Sequence, residues 1–163
     1  MILVVLGTWE MPFARPLIEI EQAITQGVLR EPVLAQSGNT PYSSPHMTLV
    51  PFLAREELER RYEEASLIIC QAGVGSIMLG LRKSKKVVAI ARRAMFEEHI
   101  DDHQLEILEV FSRAGSVLPW NGAGDLPGVL SQAASFVPAA YPFAEERISE
   151  AILEYLHERV SSG

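Results

Sequence analysis

With one cysteine, Cys70, the chain has nothing to pair with, which excludes an internal disulfide and a cysteine metal cage. Its apolar context, LIICQAG, reads as a buried thiol and fits a reducing cytoplasm. Basic charge is scarce as well: 14 Lys and Arg stand against 21 Asp and Glu, for a net charge of -7. The only basic clusters are RKSKK at 82–86 and ARR at 91–93, so the electrostatic footprint of a duplex-binding protein is missing and nucleic acid is not an expected partner. No apolar run approaches the roughly 20 residues of a membrane span. The opening MILVVLGTWE lacks a basic n-region and reads as a first strand rather than a signal peptide. A role at a membrane would need another chain to hold this one there.

What is present is a set of short, continuous apolar runs bounded by turn residues: ILVVLG at 2–7, PVLAQSG at 32–38, MTLVPF at 47–52, SLIICQAG at 66–73 and KVVAIA at 86–91. Runs that do not alternate suit strands covered on both faces. Helical patterns lie between and after them at 14–27, 55–65, 75–84, 101–114 and 125–134. Strand alternating with helix predicts an α/β, doubly wound, Rossmann-like parallel sheet, and 163 residues suit a single domain over 1–163. NTPYSSPH at 39–46 and PWNGAGDLPG at 119–128 read as loops. A last helix at 144–159 puts Ile148, Ile152, Tyr155, Leu156 and Val160 at helical spacing. That face packs on its own sheet or docks on a second protein.

In an open parallel sheet, ligands bind beyond the carboxyl ends of the strands. The residues there are Gly7-Thr8, Gln36-Ser37-Gly38, Gln71 through Ser76, and Arg92-Arg93. CQAGVGSIML reads as a strand, a two-glycine turn and Ser76 at the mouth of a helix, where free N–H groups and the helix dipole favour an anion. Met78 breaks the dinucleotide G-x-G-x-x-G, and no Gly-Lys-Ser/Thr makes a P-loop. With Gly7 and Gly38 added, a phosphate-bearing ligand is expected.

EEHIDDHQLEIL at 97–108 crowds five acids and two histidines into twelve residues. A zinc-protease helix would need Glu after His99, and position 100 is Ile, so no metal site is expected there. Asp101 and Gln104 have capping-box spacing, which makes Asp101 the expected N-cap and leaves Glu97, Glu98, Glu106 and Glu109 solvated or at the helix start. Asp102, His103 and Gln104 would then offer groups suited to sugar hydroxyls at the strand ends. Arg92 and Arg93 are either solvated or available to a diphosphate. Trp9 either stacks on a ligand or covers the sheet end.

The combination of the glycine loop with EEHIDDHQ about 20 residues later, within ASLIICQAGVGSIMLGLRKSKKVVAIARRAMFEEHIDDHQLEI at 65–107, resembles the donor-binding domain of glycosyltransferase family 28. The opening LGTWEMPFARPL also resembles that family. The chain looks most like its single-domain PssE-like and EpsF-like exopolysaccharide transferases, which are similar to the catalytic subunit of the two-subunit eukaryotic UDP-GlcNAc transferase. The resemblance implies one half of a GT-B transferase that takes a UDP-sugar as substrate, with no metal or other cofactor. It also implies a membrane-anchored, acceptor-binding partner that recruits this cytoplasmic chain to the inner membrane face; in isolation the open cleft would favour self-association.

By position, Gly7 and Thr8 would line the cleft, and Gly73, Val74, Gly75 and Ser76 would approach the diphosphate with Arg92. Gln104 would bond sugar hydroxyls, with His99, Asp102 and His103 nearby. His99 is a candidate base, as is a residue of the partner. Two departures stand out. Gln71 replaces a histidine common in the family, and Leu79 and Gly80 occupy the region where relatives carry a ribose-binding glutamate. A nucleotide-sugar epimerase would need G-x-G-x-x-G and Tyr-x-x-x-Lys, which are missing, whereas a subunit that binds without catalysing fits the Leu79 departure.

Overall fold

A computed structural model describes residues 1–140. Its elements run β1 (Ile2–Val5), α1 (Arg15–Thr25), β2 (Val33–Gln36), β3 (Thr48–Val50), α2 (Arg55–Glu64), β4 (Leu67–Gln71), α3 (Val74–Arg82), β5 (Val87–Ile90), a 3-10 turn (Ala94–Phe96), α4 (His103–Arg113), β6 (Leu118–Trp120) and α5 (Leu126–Ser135). The helix expected at 144–159 lies outside the described residues. All strands are parallel, in the order β3-β2-β1-β4-β5-β6. This is the doubly wound, Rossmann-like sheet that the strand and helix alternation predicts.

The continuous apolar strands are continuous because both faces are covered. In β1, Ile2 and Val4 point into a core with Phe13, Leu17 and Ile20 of the α1 region and with Val129 and Ala133 of α5. Leu3 and Val5 point the other way, toward Tyr62 of α2, Ile77 and Leu81 of α3, and Leu108 and Phe111 of α4. Cys70 lies in this second layer, where burial pushes its thiol up to about 12, so it stays protonated and inert. Gly80 has a packing reason: a Cβ there would come within 2.6 Å of the Val87 side chain, so α3 lies against β5 only because position 80 has no side chain.

β6 is a strand the turn-rich reading of 119–128 did not foresee. It is three residues long, and Pro119 within it is compatible with an edge position, where the missing N–H breaks no ladder. The chain runs outward from β1 through β2 and β3, then returns to β4 on the other side of β1. The topological switch therefore lies between β1 and β4, and the crevice opens beyond Val5 and Gln71.

Candidate functional site

Three strand ends close on one another at the switch point. Gly7 (φ 77°) and Gly38 (φ 61°) are left-handed, and a Cβ on Gly7 would fall 2.0 Å from the Gln71 amide nitrogen, while one on Gly38 would fall 2.4 Å from the Gly7 carbonyl oxygen. Only glycine fits at either place. Asn39 Nδ2 then donates to the carbonyls of Thr8 and Trp9, each at 3.2 Å, which ties the loop after β1 to the loop after β2. Thr8 itself is exposed at the rim.

The α3 loop works differently from a tight turn. Gly73 is the N-cap with φ -98°, and no side chain caps the helix. A Cβ on Gly75 would meet nothing within 4 Å. Neither the backbone angle nor the packing demands glycine at 75, so its effect is to leave the first turn of α3 open to close approach. Val74, Gly75 and Ser76 put their backbone N–H groups in that turn, where an α-helix has no internal acceptors and its dipole is positive. The four residues expected to approach a diphosphate are thus brought together at one helix end.

Arg92 is placed otherwise than expected. It is 1% exposed, and its guanidinium donates to Gln71 Oε1 (2.8 Å) and to the carbonyls of Met11 (2.7 Å), Glu98 (2.9 Å) and Leu6 (2.9 Å), over the ring of Phe13 at 4.7 Å. Burial pushes it down to about 10, so it stays charged at neutral pH. With its donors turned to backbone oxygens, Arg92 lies under the crevice and joins the ends of β1, β4 and β5 instead of meeting a ligand phosphate. Gln71, the departure from the family's histidine, is the side chain that receives it.

Three further expectations in 97–104 change. The helix starts one residue later, with Asp102 as N-cap, and Asp102 has no side-chain bond capping its own helix. Its Oδ1 instead accepts from Ala94 N–H (2.9 Å) and Arg93 Nε (3.2 Å), so the carboxylate ties the 3-10 turn rather than reaching for a ligand. Asp101 Oδ1 accepts from His103 N–H (3.0 Å), and that backbone bond is the main reason its carboxyl sits below the usual range. Gln104 is buried, with Oε1 accepting from Arg92 N–H at 3.1 Å, so it fixes the end of β5 instead of completing a capping box. Its amide nitrogen has no hydrogen-bond partner among the described residues and remains available at the strand ends.

His99 and His103 turn to different carboxylates, Asp101 at 3.0 Å and Glu106 at 3.4 Å. Among the described residues no group of three or more His, Cys, Asp or Glu is placed to hold a metal ion. Trp9 stacks on His99, with ring centroids 4.7 Å apart and planes at 26°. It therefore covers a protein ring, not only the sheet end.

Two residues escaped the sequence reading. Glu98, taken as a solvated charge, is 4% exposed and forms a bidentate pair with Arg15, at 2.9 Å from Nε and 2.7 Å from Nη2. Arg15 also donates to the carbonyls of Ala91 and Asn121, and Glu98 Oε2 accepts from Arg93 N–H. The pair fastens the loop carrying His99 to the start of α1. Its only sequence signal is the Arg15 of the LGTWEMPFARPL opening, and nothing local marks its partner.

Leu79 lines a groove of about 400 Å³ between α2 and α3 together with Arg55, Leu58, Glu59, Val74, Gly75, Met78 and Arg82. The acid in that groove, Glu59, is paired with Arg55 at 3.0 Å.

Residues 2–123 match the profile of the glycosyltransferase family 28 C-terminal domain. Among solved structures, MurG of Acinetobacter baumannii is similar at 22% identity and a TM-score of 0.56, over 82% of this chain and 40% of MurG. The spinosyn forosaminyltransferase SpnP is similar at 15% identity and a TM-score of 0.51, over 82% of this chain and 34% of SpnP. ALG13 in its solution structure is 17% identical with a TM-score of 0.55, over 93% of this chain and 94% of ALG13. The chain thus spans less than half of MurG and of SpnP and nearly all of ALG13. No curated protein sequence matches it.

Proposed function

The chain belongs to the family of glycosyltransferase family 28 C-terminal domains, and on that premise we propose that it binds a UDP-sugar and transfers the sugar together with an acceptor-binding partner chain. Its fold is that of one half of a GT-B glycosyltransferase, which accounts for glycosyl transfer in general terms. The observation that carries the donor reading is the unobstructed first turn of α3 at the β1/β4 switch, where Gly75 leaves open the N–H groups that suit a diphosphate. Gln104, with Oε1 held by Arg92 N–H, offers its amide N–H to sugar hydroxyls, and His103 and Thr8 stand at the rim. The departing UDP is stabilised by the helix end, the remaining requirement being a base for the acceptor hydroxyl.

In the loops after β1 and β5, Trp9 (40%), Phe96 (49%) and Ile100 (74%) are large and exposed, and we assign them to burial against the acceptor-binding partner or, in isolation, a second copy. Among the described residues no helix is long and apolar enough to cross a membrane. Attachment at the inner membrane face is assigned to the partner on the resemblance to the two-component transferases. The product would be a lipid-linked or polysaccharide glycoside, in line with the exopolysaccharide branch that the sequence resembles.

Calorimetry with UDP, UDP-hexoses, NAD and ATP tests the donor. UDP compounds are expected to bind and NAD is not; the reverse pattern would remove the transferase reading. Gln104→Ala should weaken UDP-hexose binding about tenfold and UDP itself little, since only the sugar meets the amide. Equal losses for both ligands would leave Gln104 as a β5 tie alone.

A second reading, a subunit that binds without catalysing, is favoured by Leu79, which offers no acceptor to ribose. If the groove takes the nucleoside, Leu79→Glu should tighten UDP binding about tenfold by restoring a carboxylate to two hydroxyls. Unchanged affinity would place ribose recognition elsewhere.

A further inference from the structure

Gln71 ends β4 between two glycines. A Cβ on Gly7 would fall 2.0 Å from its amide nitrogen and one on Gly73 would fall 3.1 Å from the same atom, so the amide fills the space those side chains would take. Gly73 is the N-cap of α3, and no side chain caps that helix. The amide nitrogen therefore lies beside the open first turn, between it and the loop after β1.

Which end of the amide faces the crevice is decided from below. Arg92 Nε is a donor only, and it bonds the Gln71 amide at 2.8 Å, so the atom it meets is the oxygen. The guanidinium is itself fixed by the carbonyls of Leu6, Met11 and Glu98, which holds the amide in that orientation. Nε2 then carries two hydrogens with no acceptor among the described residues, on a half-buried side chain whose amide nitrogen is open to solvent. If the side chain served Arg92 alone, a glutamate would serve it better, because a carboxylate accepts from a guanidinium more strongly than an amide does. Glutamine satisfies the arginine and still presents a donor above it. The buried cation behind the amide and the positive end of α3 beside it both favour an anion there.

We infer that Gln71 binds the diphosphate of the sugar nucleotide, its Nε2 donating to a phosphate oxygen beside the Val74, Gly75 and Ser76 N–H groups while Arg92 holds its Oε1. The inference rests on the donor reading above and adds a side-chain donor to a phosphate site otherwise built of backbone. Water bonds the two hydrogens in the free chain, and a phosphate oxygen displaces it.

Gln71→Glu separates this role from support of Arg92. The variant keeps an acceptor of the same size for the guanidinium, so its stability in urea should equal or exceed that of the wild type. Its UDP affinity, read by calorimetry, should fall by about 100-fold, because a donor to a charged oxygen is lost and a carboxylate faces the diphosphate. Unchanged UDP affinity in the folded variant overturns the proposal and leaves the donor reading standing.

NMR of the wild-type chain tests the same contact without a substitution. The Gln71 side-chain amide signal should shift on addition of UDP and of inorganic pyrophosphate alike, since the contact is to the diphosphate. A still Gln71 amide while the backbone signals of residues 74–76 move overturns the proposal. If pyrophosphate moves the amide and UDP does not bind, the donor reading fails and the diphosphate contact stands. No response to either ligand removes both.

Discussion

Replacing Arg92 with alanine is expected to lower the unfolding free energy by about 4 kcal/mol, read from urea denaturation of the full chain at neutral pH. The substitution removes a cation that is 1% exposed and leaves the carbonyls of Leu6, Met11 and Glu98, together with Gln71 Oε1, without their donor. Each buried acceptor left unmade costs about 1–3 kcal/mol, and the Phe13 ring loses its packing partner as well. The full sum is not reached, because water enters the space and restores part of the bonding. Arg92→Lys should recover little, since one ammonium cannot span acceptors that a planar fork reaches at the ends of two strands and in two loops. A loss under about 1 kcal/mol for the alanine variant would show that the carbonyls are already hydrated and that the clamp is not structural.

The same residue shows where the sequence stops being legible. That something basic follows β5 is visible in ARR at 91–93, and its position at a strand end fits a ligand contact equally well. What decides against it is that the carbonyls of Leu6 and Met11, far away in sequence, converge with Gln71 and the nearby Glu98 carbonyl on one guanidinium, and that convergence is a property of the sheet order. The sheet itself could be read, because continuous apolar runs and intervening helical periods are local patterns that survive without tertiary knowledge. β6 could not, since three residues with a proline carry no period, and only pairing with β5 makes them a strand.

The glycine turns were visible as glycines, yet their reasons differ. Gly7 and Gly38 are required by backbone angle and contact, Gly80 by helix-to-sheet approach, and Gly75 by neither, which is what separates an opening from a constraint. Trp9 and His99 are far apart in sequence, so their stacking was equally hidden, although each had been singled out by residue type.

Glu98→Ala is expected to cost about 3 kcal/mol, and the Arg15→Ala, Glu98→Ala double variant to be no less stable than Glu98→Ala alone. The argument is one of uncompensated charge. The side chains are 16% and 6% exposed, and removing the acid leaves a guanidinium held against the Ala91 and Asn121 carbonyls with no counter-ion. Removing the arginine as well eliminates the stranded charge, so the second substitution should not add its own full cost. Additive losses would instead mean that the two residues stabilise the fold separately.

The consequence for function follows from what the pair fastens. Glu98 precedes His99, accepts the Arg93 N–H, and through its carbonyl receives Arg92, so loosening it displaces the ring from Trp9. If the 97–104 segment borders the reacting sugar, as the transfer reading proposes, a shift of about 1 Å there lowers the rate by about 100-fold. Glu98→Ala should therefore lose transfer activity at temperatures where it remains folded, while the α3 first turn, built on separate contacts, keeps its affinity for UDP. Loss of UDP affinity in the same proportion would place the diphosphate on the 91–99 loop instead of on α3.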